Sequence, residues 1–395
     1  MRKAIVAGGS IGGLFVATAL IKAGWSVCLF ERSKVELSGR GAGIVTHEPL
    51  IEAFRAVGAS TDELGVTVAE RIAIDIAGDV VSRLDYPQVV TSWDRIHQIL
   101  RVLVPDEAYR LGRAVVGYEQ TIKKVVAVLE DGSREEADLL VGADGFRSAV
   151  RQQMLPDIQP DFAGYVVWRA LADEASMTPD VHARLFEHFV FFAPNQTQIV
   201  GYPIAGLEND LRAGHRRYNF VWYSRVSDAD LRDMMTDGSG HYHPVSIPPP
   251  LIRDDVLENM ETDAASRLPT PFVDIIRRSA RPFFTPIYDH CSPTFGQGRV
   301  ALLGDAACVA RPHVGMGVTK AAHDALALVR LVSEQSVEDA LQAYSTERVA
   351  ASRLAYEQAK KLGGYIFETD QTQNLDGRSH NHLQEIMRDT AIPVM

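Results

Sequence analysis

Apolar positions near the start of the chain fall into short runs whose spacing changes from one run to the next. Residues 4–7 form a continuous apolar run of strand length, the glycine-rich stretch 8–13 interrupts it, and 14–23 carries a helical pattern that stops at Gly24. A second apolar run, 27–30, follows at once, so the chain opens as strand, turn, helix, strand. Two later strand-length runs end in similar loops: 139–141 leads into Gly142-Ala143-Asp144-Gly145, and 299–303 leads into Gly304-Asp305-Ala306-Ala307. Gathering these distant junctions into one sheet requires a domain assembled from 1–70, 92–160 and 285–345. Residues 71–91 and 161–284 then form a second domain, and 346–395 a C-terminal helical segment and tail.

The stretch 162–282 differs in character, being rich in aromatics such as Tyr165, Trp168, Phe189, Tyr202, Tyr218, Phe220, Trp222 and Tyr223. Alternation over 217–225 predicts a strand, so this region is expected to be built on a sheet, most of its aromatics in the core and a minority facing a ligand. Prolines 248–250 break it, and helical segments follow to Arg278. Beyond Asp324 the pattern is helical to about Leu362, and the polar last thirty residues, with His380 and His382, are expected to be a solvated tail and not a metal site. No internal repeat is visible.

At 395 residues the chain is long enough for two domains and a sizeable buried ligand. A content of 46% hydrophobic and 23% charged residues fits a globular chain folded throughout. A net charge of -11 without a basic stripe excludes nucleic acid and an anionic membrane surface as partners. Three cysteines, Cys28, Cys291 and Cys308, are odd in number and lack CxxC spacing, which speaks against a disulfide framework or structural zinc. Arg2-Lys3 before an apolar stretch resembles a secretory signal superficially, but Gly8, Gly9, Gly12 and Gly13 break that stretch and cleavage would remove half of the opening unit. Nothing approaches the roughly 20 apolar residues of a membrane span. The expected location is the cytoplasm, with no metal.

Gly8-Gly9-Ser10-Ile11-Gly12-Gly13 occupies the position of a dinucleotide fingerprint between strand and helix. Gly8 permits the tight turn, Gly13 lets helix and strand approach, and the helix N-terminus presents free N–H groups to a pyrophosphate. Ser10 stands where glycine is usual, and its hydroxyl can itself bond phosphate. Glu31 ends the second strand 23 residues after Gly8, where a carboxylate can accept bonds from ribose hydroxyls.

Arg32 follows Glu31, and Gly41-Ala42-Gly43-Ile44 comes soon after. The segment 143–151, Ala-Asp-Gly-Phe-Arg-Ser-Ala-Val-Arg, resembles the DG motif of the flavoprotein aromatic hydroxylases. Gly304-Asp305-Ala306-Ala307, continuing through Pro312, Gly315 and Gly317 to Asp324, resembles their GD motif. The resemblance implies an α/β fold like that of para-hydroxybenzoate hydroxylase, a Rossmann-like FAD-binding domain interleaved with a mixed-sheet substrate domain. It also implies bound FAD, with Asp305 on the ribityl chain, Gly315 to Thr319 (including Val318) against the isoalloxazine, and Asp144 shaping the cofactor surface. Further parallels at 164–169, 202–204, 219–223 and 311–313 point to the branch of that family acting on hydroxypyridines. Trp93 departs from the family, which mostly has arginine there; Arg95 is the nearest substitute.

The activity so implied is hydroxylation of a small electron-rich aromatic or pyridine ring by NADH or NADPH and dioxygen, through a flavin hydroperoxide. The protein must position the ring, exclude water and favour a deprotonated ring hydroxyl. His313 and His47 are the candidate proton acceptors, Tyr223 a candidate partner for a ring hydroxyl, and Arg169 either a structural ion-pair partner or a site for anionic substrate. No second glycine fingerprint appears, so the nicotinamide is expected to visit transiently; the resemblance also makes a homodimer plausible. A halogenase is set aside because no tryptophan sits in a Trp-x-Trp-x-Ile-Pro segment, and a simple dehydrogenase leaves the two later motifs without purpose. A flavin-binding sequestering or redox-sensing protein without turnover shares every cofactor residue and differs only in making no product.

Overall fold

The computed structural model describes residues 1–37, 43–367 and 380–393. Gly41 and Ala42 lie outside the described residues. The opening unit consists of strand Lys3–Ala7, helix Ile11–Lys22 and strand Ser26–Glu31. The helix begins three residues earlier than the apolar pattern indicates, because Gly12 and Gly13 are helical here despite their poor intrinsic propensity. Close packing explains both glycines in the turn: a Cβ on Gly8 (φ 102°) would fall 2.3 Å from the Ala143 carbonyl oxygen, and one on Gly13 would fall 1.8 Å from the Gly8 carbonyl oxygen.

Strand Leu139–Gly142 pairs parallel with Lys3–Ala7 on one side and with Val300–Leu302 on the other. Strands Ser26–Glu31 and Tyr109–Leu111 complete the parallel run, and the short strand Gly296–Gln297 closes one edge antiparallel. Helices Ile11–Lys22 and Gly317–Glu334 pack on this sheet and on each other. The loops after Ala7, Gly142 and Leu302 therefore leave the sheet side by side at the carboxyl ends of neighbouring parallel strands, where open α/β sheets bind ligands. The strand pattern missed a small three-stranded antiparallel sheet, Val115–Gln120, Val125–Leu129 and Arg134–Ala137.

A nine-stranded mixed sheet forms the second layer, running from Cys308–Val309 through Phe283–Cys291, Asp161–Asp173, Arg217–Arg225, Thr197–Ile204 and Phe189–Phe192 to Val66–Ile74, Val80–Ser92 and Gly43–Val45. Only the pairing of Phe189–Phe192 with Val66–Ile74 is parallel. Strand Arg217–Arg225, predicted from its alternation, is buried on both faces from Tyr218 to Ser224. Tyr218, Phe220 and Trp222 pack with helices Asp254–Arg267 and Thr270–Arg278, while Val221 and Tyr223 face a cavity.

The end of the chain is a correction to the solvated-tail expectation. Helix His380–Asp389 packs against the long hairpin, and Ile386, Met387 and Ala391 are buried. Arg71, fully buried, donates through its guanidinium to the carbonyls of Met387, Thr390 and Ala391 and to the Gln88 side chain. Met387 lies in the last turn of the helix, where carbonyls lack intrahelical partners, and Thr390 and Ala391 follow it directly, so a cation there also meets the negative end of the helix dipole. Arg71→Met should cost roughly 3 kcal/mol by leaving several buried carbonyls unpaired. Chemical denaturation together with limited proteolysis of the C-terminal helix tests this; an unchanged midpoint and an undigested helix would contradict it.

Candidate active site

A cavity of about 830 Å³ lies between the parallel sheet's loops and one face of the nine-stranded sheet. On the nucleotide-fingerprint side it is lined by Gly8, Ser10, Glu31, Arg32, Asp144 and Asp305, and further along by Gly43, Pro312, Gly315, Gly317 and Val318. Ile11 and Gly13 do not line it; they lie behind the turn, where Gly13 makes the close approach to Gly8. Glu31 is buried and accepts from the N–H groups of Gly9 and Ser33, both at 2.8 Å. Two carboxylate oxygens retain lone pairs after those bonds, so a diol can still be received. Ser10 caps helix Ile11–Lys22 by position only, its hydroxyl making no capping bond.

Asp144 and Asp305 face the cavity from the two later loops. One oxygen of Asp144 accepts from the Ala149 N–H at 2.8 Å, while its other oxygen, Oδ1, has no partner. Burial pushes its carboxyl above the usual range, partly offset by those local hydrogen bonds. Asp305 opens into the cavity from deep within the protein, and burial pushes its carboxyl up as well. Both therefore gain from a hydrogen-bond donor on a ligand.

Most of what holds those loops is invisible in the sequence pattern. Arg151, buried, bonds the carbonyls of Phe146 and Ala306 and so ties the two motifs together. Asp324 accepts from the Gly304 N–H and pairs with Arg348 Nε at 2.8 Å; Lys320 donates to the Gly304 carbonyl at 2.8 Å. The Gly304 peptide, at φ 62°, is thereby gripped from both sides. The i, i+4 spacing of Lys320 and Asp324 was a readable signal; Arg348 was not.

The other end of the cavity is walled by Phe189, Val200, Tyr202, Val221, Tyr223 and Ile287, with Arg169, Gln198 and Thr285 as polar insertions. His313 stacks on Tyr223 with ring centroids 3.9 Å apart, and its Nε2 lies 3.0 Å from the Tyr165 hydroxyl. Its Nδ1 has no partner. Burial, aided by the Arg311 cation, lowers its pKa to about 3, so the ring is neutral at ordinary pH. That setting disfavours a stored proton on His313. His47 does not line the cavity: its Nδ1 lies 3.2 Å from Thr319 Oγ1 and its Nε2 3.1 Å from the Ala391 carbonyl, so both ring nitrogens are engaged. This corrects its expected place as a proton acceptor. Trp93 lines the cavity and stacks on His97, whereas Arg95 points away to the Asp62 carbonyl and takes no part. Arg169 forms no ion pair among the described residues and its Nε is unpartnered, contrary to the structural-pairing alternative. Thr390 and Ala391 close the side next to Gly315, and the Ala391 N–H bonds the His313 carbonyl at 2.9 Å.

The residues present fit FAD. A side chain at Gly8 would fill the turn, the unpartnered Asp144 oxygen and the open Asp305 await donors, and the cavity is long enough to run from Glu31 to Tyr223. Two loops at strand ends, an acidic side chain after the second strand and an aromatic wall opposite define a flavin site facing a ring pocket. A family model described as "FAD binding domain" matches residues 1–200 and 259–359, and one described as "FAD binding domain-like" matches 162–289. The chain belongs to this FAD-binding family and, within it, to the flavoprotein aromatic hydroxylases, which are FAD-dependent monooxygenases. In particular, it is 32% identical to 2,6-dihydroxypyridine 3-monooxygenase of Paenarthrobacter nicotinovorans, over 91% of this chain and 90% of that one. The solved structure of 2,6-dihydroxypyridine-3-hydroxylase from Arthrobacter nicotinovorans superimposes with a TM-score of 0.87 at 30% identity, covering 96% of each chain. Aurachin C monooxygenase/isomerase of Stigmatella aurantiaca is 29% identical over 87% of this chain and 84% of its own. Among the described residues no helix is long and apolar enough to cross a membrane, and no group of side chains is arranged to hold a metal ion.

Three buried histidines have depressed pKa values: His313 to about 3 by burial and then Arg311, His47 to about 4 by burial, and His290 to about 4 by burial and then Arg151. The unfolded chain takes up these protons near pH ~6.5 and the folded chain does not, so their contribution is complete above that pH and is lost as pH falls toward the folded values. Each contributes a slope of up to ~1.4 kcal/mol per pH unit in that window. Urea denaturation near neutrality and at mildly acidic pH should show stability falling with acid, and His313→Gln should remove about a third of the slope; a profile identical in the variant would contradict this.

Proposed function

We propose that this monooxygenase hydroxylates a small, electron-rich hydroxylated aromatic or pyridine ring, with a hydroxypyridine as the favoured class. The observation that carries the reading is the continuity of one cavity from the fingerprint turn to the Arg169, Gln198 and Tyr223 wall. The names of two relatives that match nearly the whole chain favour the pyridine class. The net reaction consumes a ring C–H, NADH or NADPH, a proton and dioxygen, and yields the ring hydroxyl, the oxidised nicotinamide and water.

FAD, when bound, accepts hydride from the nicotinamide and activates oxygen for transfer to the ring. Glu31, Ser10 and the turn at Gly8 would hold its adenosine and pyrophosphate end, with Arg32 at the mouth. Asp144 and Asp305 would receive its polar linker, and Pro312, Gly315, Gly317 and Val318 would lie against its ring system together with Gly43. On the opposite wall, Tyr223 and the apolar side chains orient the substrate ring, and Thr390 with Ala391 keeps water from the His313 side. His313, being neutral, can accept or donate one hydrogen bond through Nδ1 without holding charge. The nicotinamide would visit transiently. The same reading divides the chain into a cofactor domain, 1–70, 92–160 and 285–345, a substrate domain, 71–91 and 161–284, and the C-terminal segment 346–395. A homodimer and a reducing cytoplasm, which suits the three free cysteines, complete it.

The test is aerobic oxidation of NADH and of NADPH by the FAD-loaded protein over a panel of hydroxypyridines and phenols, with product mass. A ring that accelerates oxidation and gains one oxygen atom is expected. Bound FAD with no oxygenated product from any ring would instead support a sequestering or redox-sensing protein.

A further inference from the structure

A cation set into an aromatic wall without a counter-ion is costly, since a buried charge is normally paired. Arg169 stands half-buried in that position. It sits on strand Asp161–Asp173 facing the cavity, directly across from Val221 on one side and Phe283 on the other. Its Nε has no hydrogen-bond partner, and no carboxylate pairs with it among the described residues. By contrast, Arg311, at the same end of the cavity, is neutralised by Asp289 with Nε 2.7 Å from Oδ1.

The groups that face Arg169 from the elements packed against it are neutral. Tyr223 comes from strand Arg217–Arg225 and Tyr202 from Thr197–Ile204, and both feel the Arg169 charge. Thr285 comes from Phe283–Cys291. His313, from the loop opposite, is uncharged for the reasons given above. The cavity's carboxylates, Glu31, Asp144 and Asp305, all belong to the fingerprint, DG and GD segments. Gln198, buried and directly across from Tyr223, lines the same wall, and its amide makes no hydrogen bond within the described protein. The ring end of the cavity therefore holds one uncompensated positive charge beside one free amide.

We propose that Arg169 is a specificity-determining residue that binds the substrate ring as its anion, with the Gln198 amide reading a neighbouring ring N–H or hydroxyl. The inference rests on the ring-hydroxylase reading above and narrows it to rings that enter already deprotonated. A hydroxypyridine anion carries the negative charge that makes the ring a nucleophile toward electrophilic oxygen. No protein base then has to remove and keep that proton, which accords with a neutral His313. An arginine fork also suits a planar ligand presenting an oxygen beside a second heteroatom, as lysine does not.

The experiment is a titration of the FAD-loaded wild type, Arg169→Met, Arg169→Lys and Gln198→Leu with 2,6-dihydroxypyridine, followed by the perturbation of flavin absorbance across the probe's own ionisation. The neutral 2,6-dimethoxypyridine serves as control, and FAD affinity is measured separately for every protein. Wild-type affinity should fall as the probe becomes protonated. Arg169→Met should weaken anion binding by about tenfold to a hundredfold and abolish that pH dependence, leaving FAD affinity and binding of the neutral control little changed. Arg169→Lys should recover part of the loss, and Gln198→Leu should weaken binding while keeping the pH dependence. Undiminished anion binding by Arg169→Met would overturn the proposal. So would a loss of FAD in that variant, which would assign Arg169 to the flavin, or a wild-type affinity indifferent to the probe's charge. Failure of the wild type to bind any ring of the panel would sink the ring-hydroxylase reading itself.

Discussion

The buried carboxylate of Asp324 fixes the rim on which the rest of the cavity depends. It lies a full helical turn beyond Lys320, and together they hold the N–H and the carbonyl of Gly304, whose positive φ turns the chain out of the sheet. Arg348, reaching in from the next helix, balances the second carboxylate oxygen. Three largely buried charges are tolerable only because each is paired and hydrogen-bonded; removal of any one would strand the others. The consequence is a rigid platform from which Asp305 projects into the cavity. Arg151 transmits the same rigidity to the Asp144 loop by bonding a carbonyl in each motif.

From that platform the division of labour follows. Parallel strands deliver three loops to one edge, where polar groups are left without protein partners: an oxygen of Asp144, the carboxylate of Asp305, the hydroxyl of Ser10. The nine-stranded sheet contributes an aromatic and aliphatic face in which Arg169, Gln198 and Thr285 are the exceptions. The C-terminal segment completes the enclosure, with Arg71, Gln88 and His47 bonding its backbone carbonyls and Ile386 and Met387 buried beneath it. His47 thus stabilises the wall of the cavity and does not act inside it.

Much of this was legible in the chain. Glycine at 8 and 13 and the acid at 31 were readable from the fingerprint spacing, and the DG and GD segments from their resemblance to those of the flavoprotein aromatic hydroxylases. The α/β class with an interleaved sheet follows from those junctions being distant in sequence, and the solved relative at 30% identity shares it. What stayed hidden depends on contacts that no local pattern records. Arg71 looks like any strand arginine until it meets carbonyls more than three hundred residues away. The polar tail looks solvated because few of its described residues, Ile386, Met387 and Ala391 among them, reach the core. The small three-stranded sheet was lost inside a segment assigned as a whole to the parallel unit. For His313 the residue type suggested a base, whereas burial beside Arg311 decides its charge, and burial is a tertiary property.

The central claim is that a single cavity brings flavin and substrate ring together, the ring on the Arg169 and Tyr223 wall and the flavin on the Asp144 and Asp305 rim. A crystal structure of the protein with oxidised FAD and a hydroxypyridine, grown without a nicotinamide so that no turnover occurs, tests it most directly. The account predicts the ring lodged between the isoalloxazine and Tyr223, with a ring oxygen on the Arg169 guanidinium. A ring bound outside this cavity, or a flavin that fills the Arg169 wall and leaves no space for it, would contradict the account.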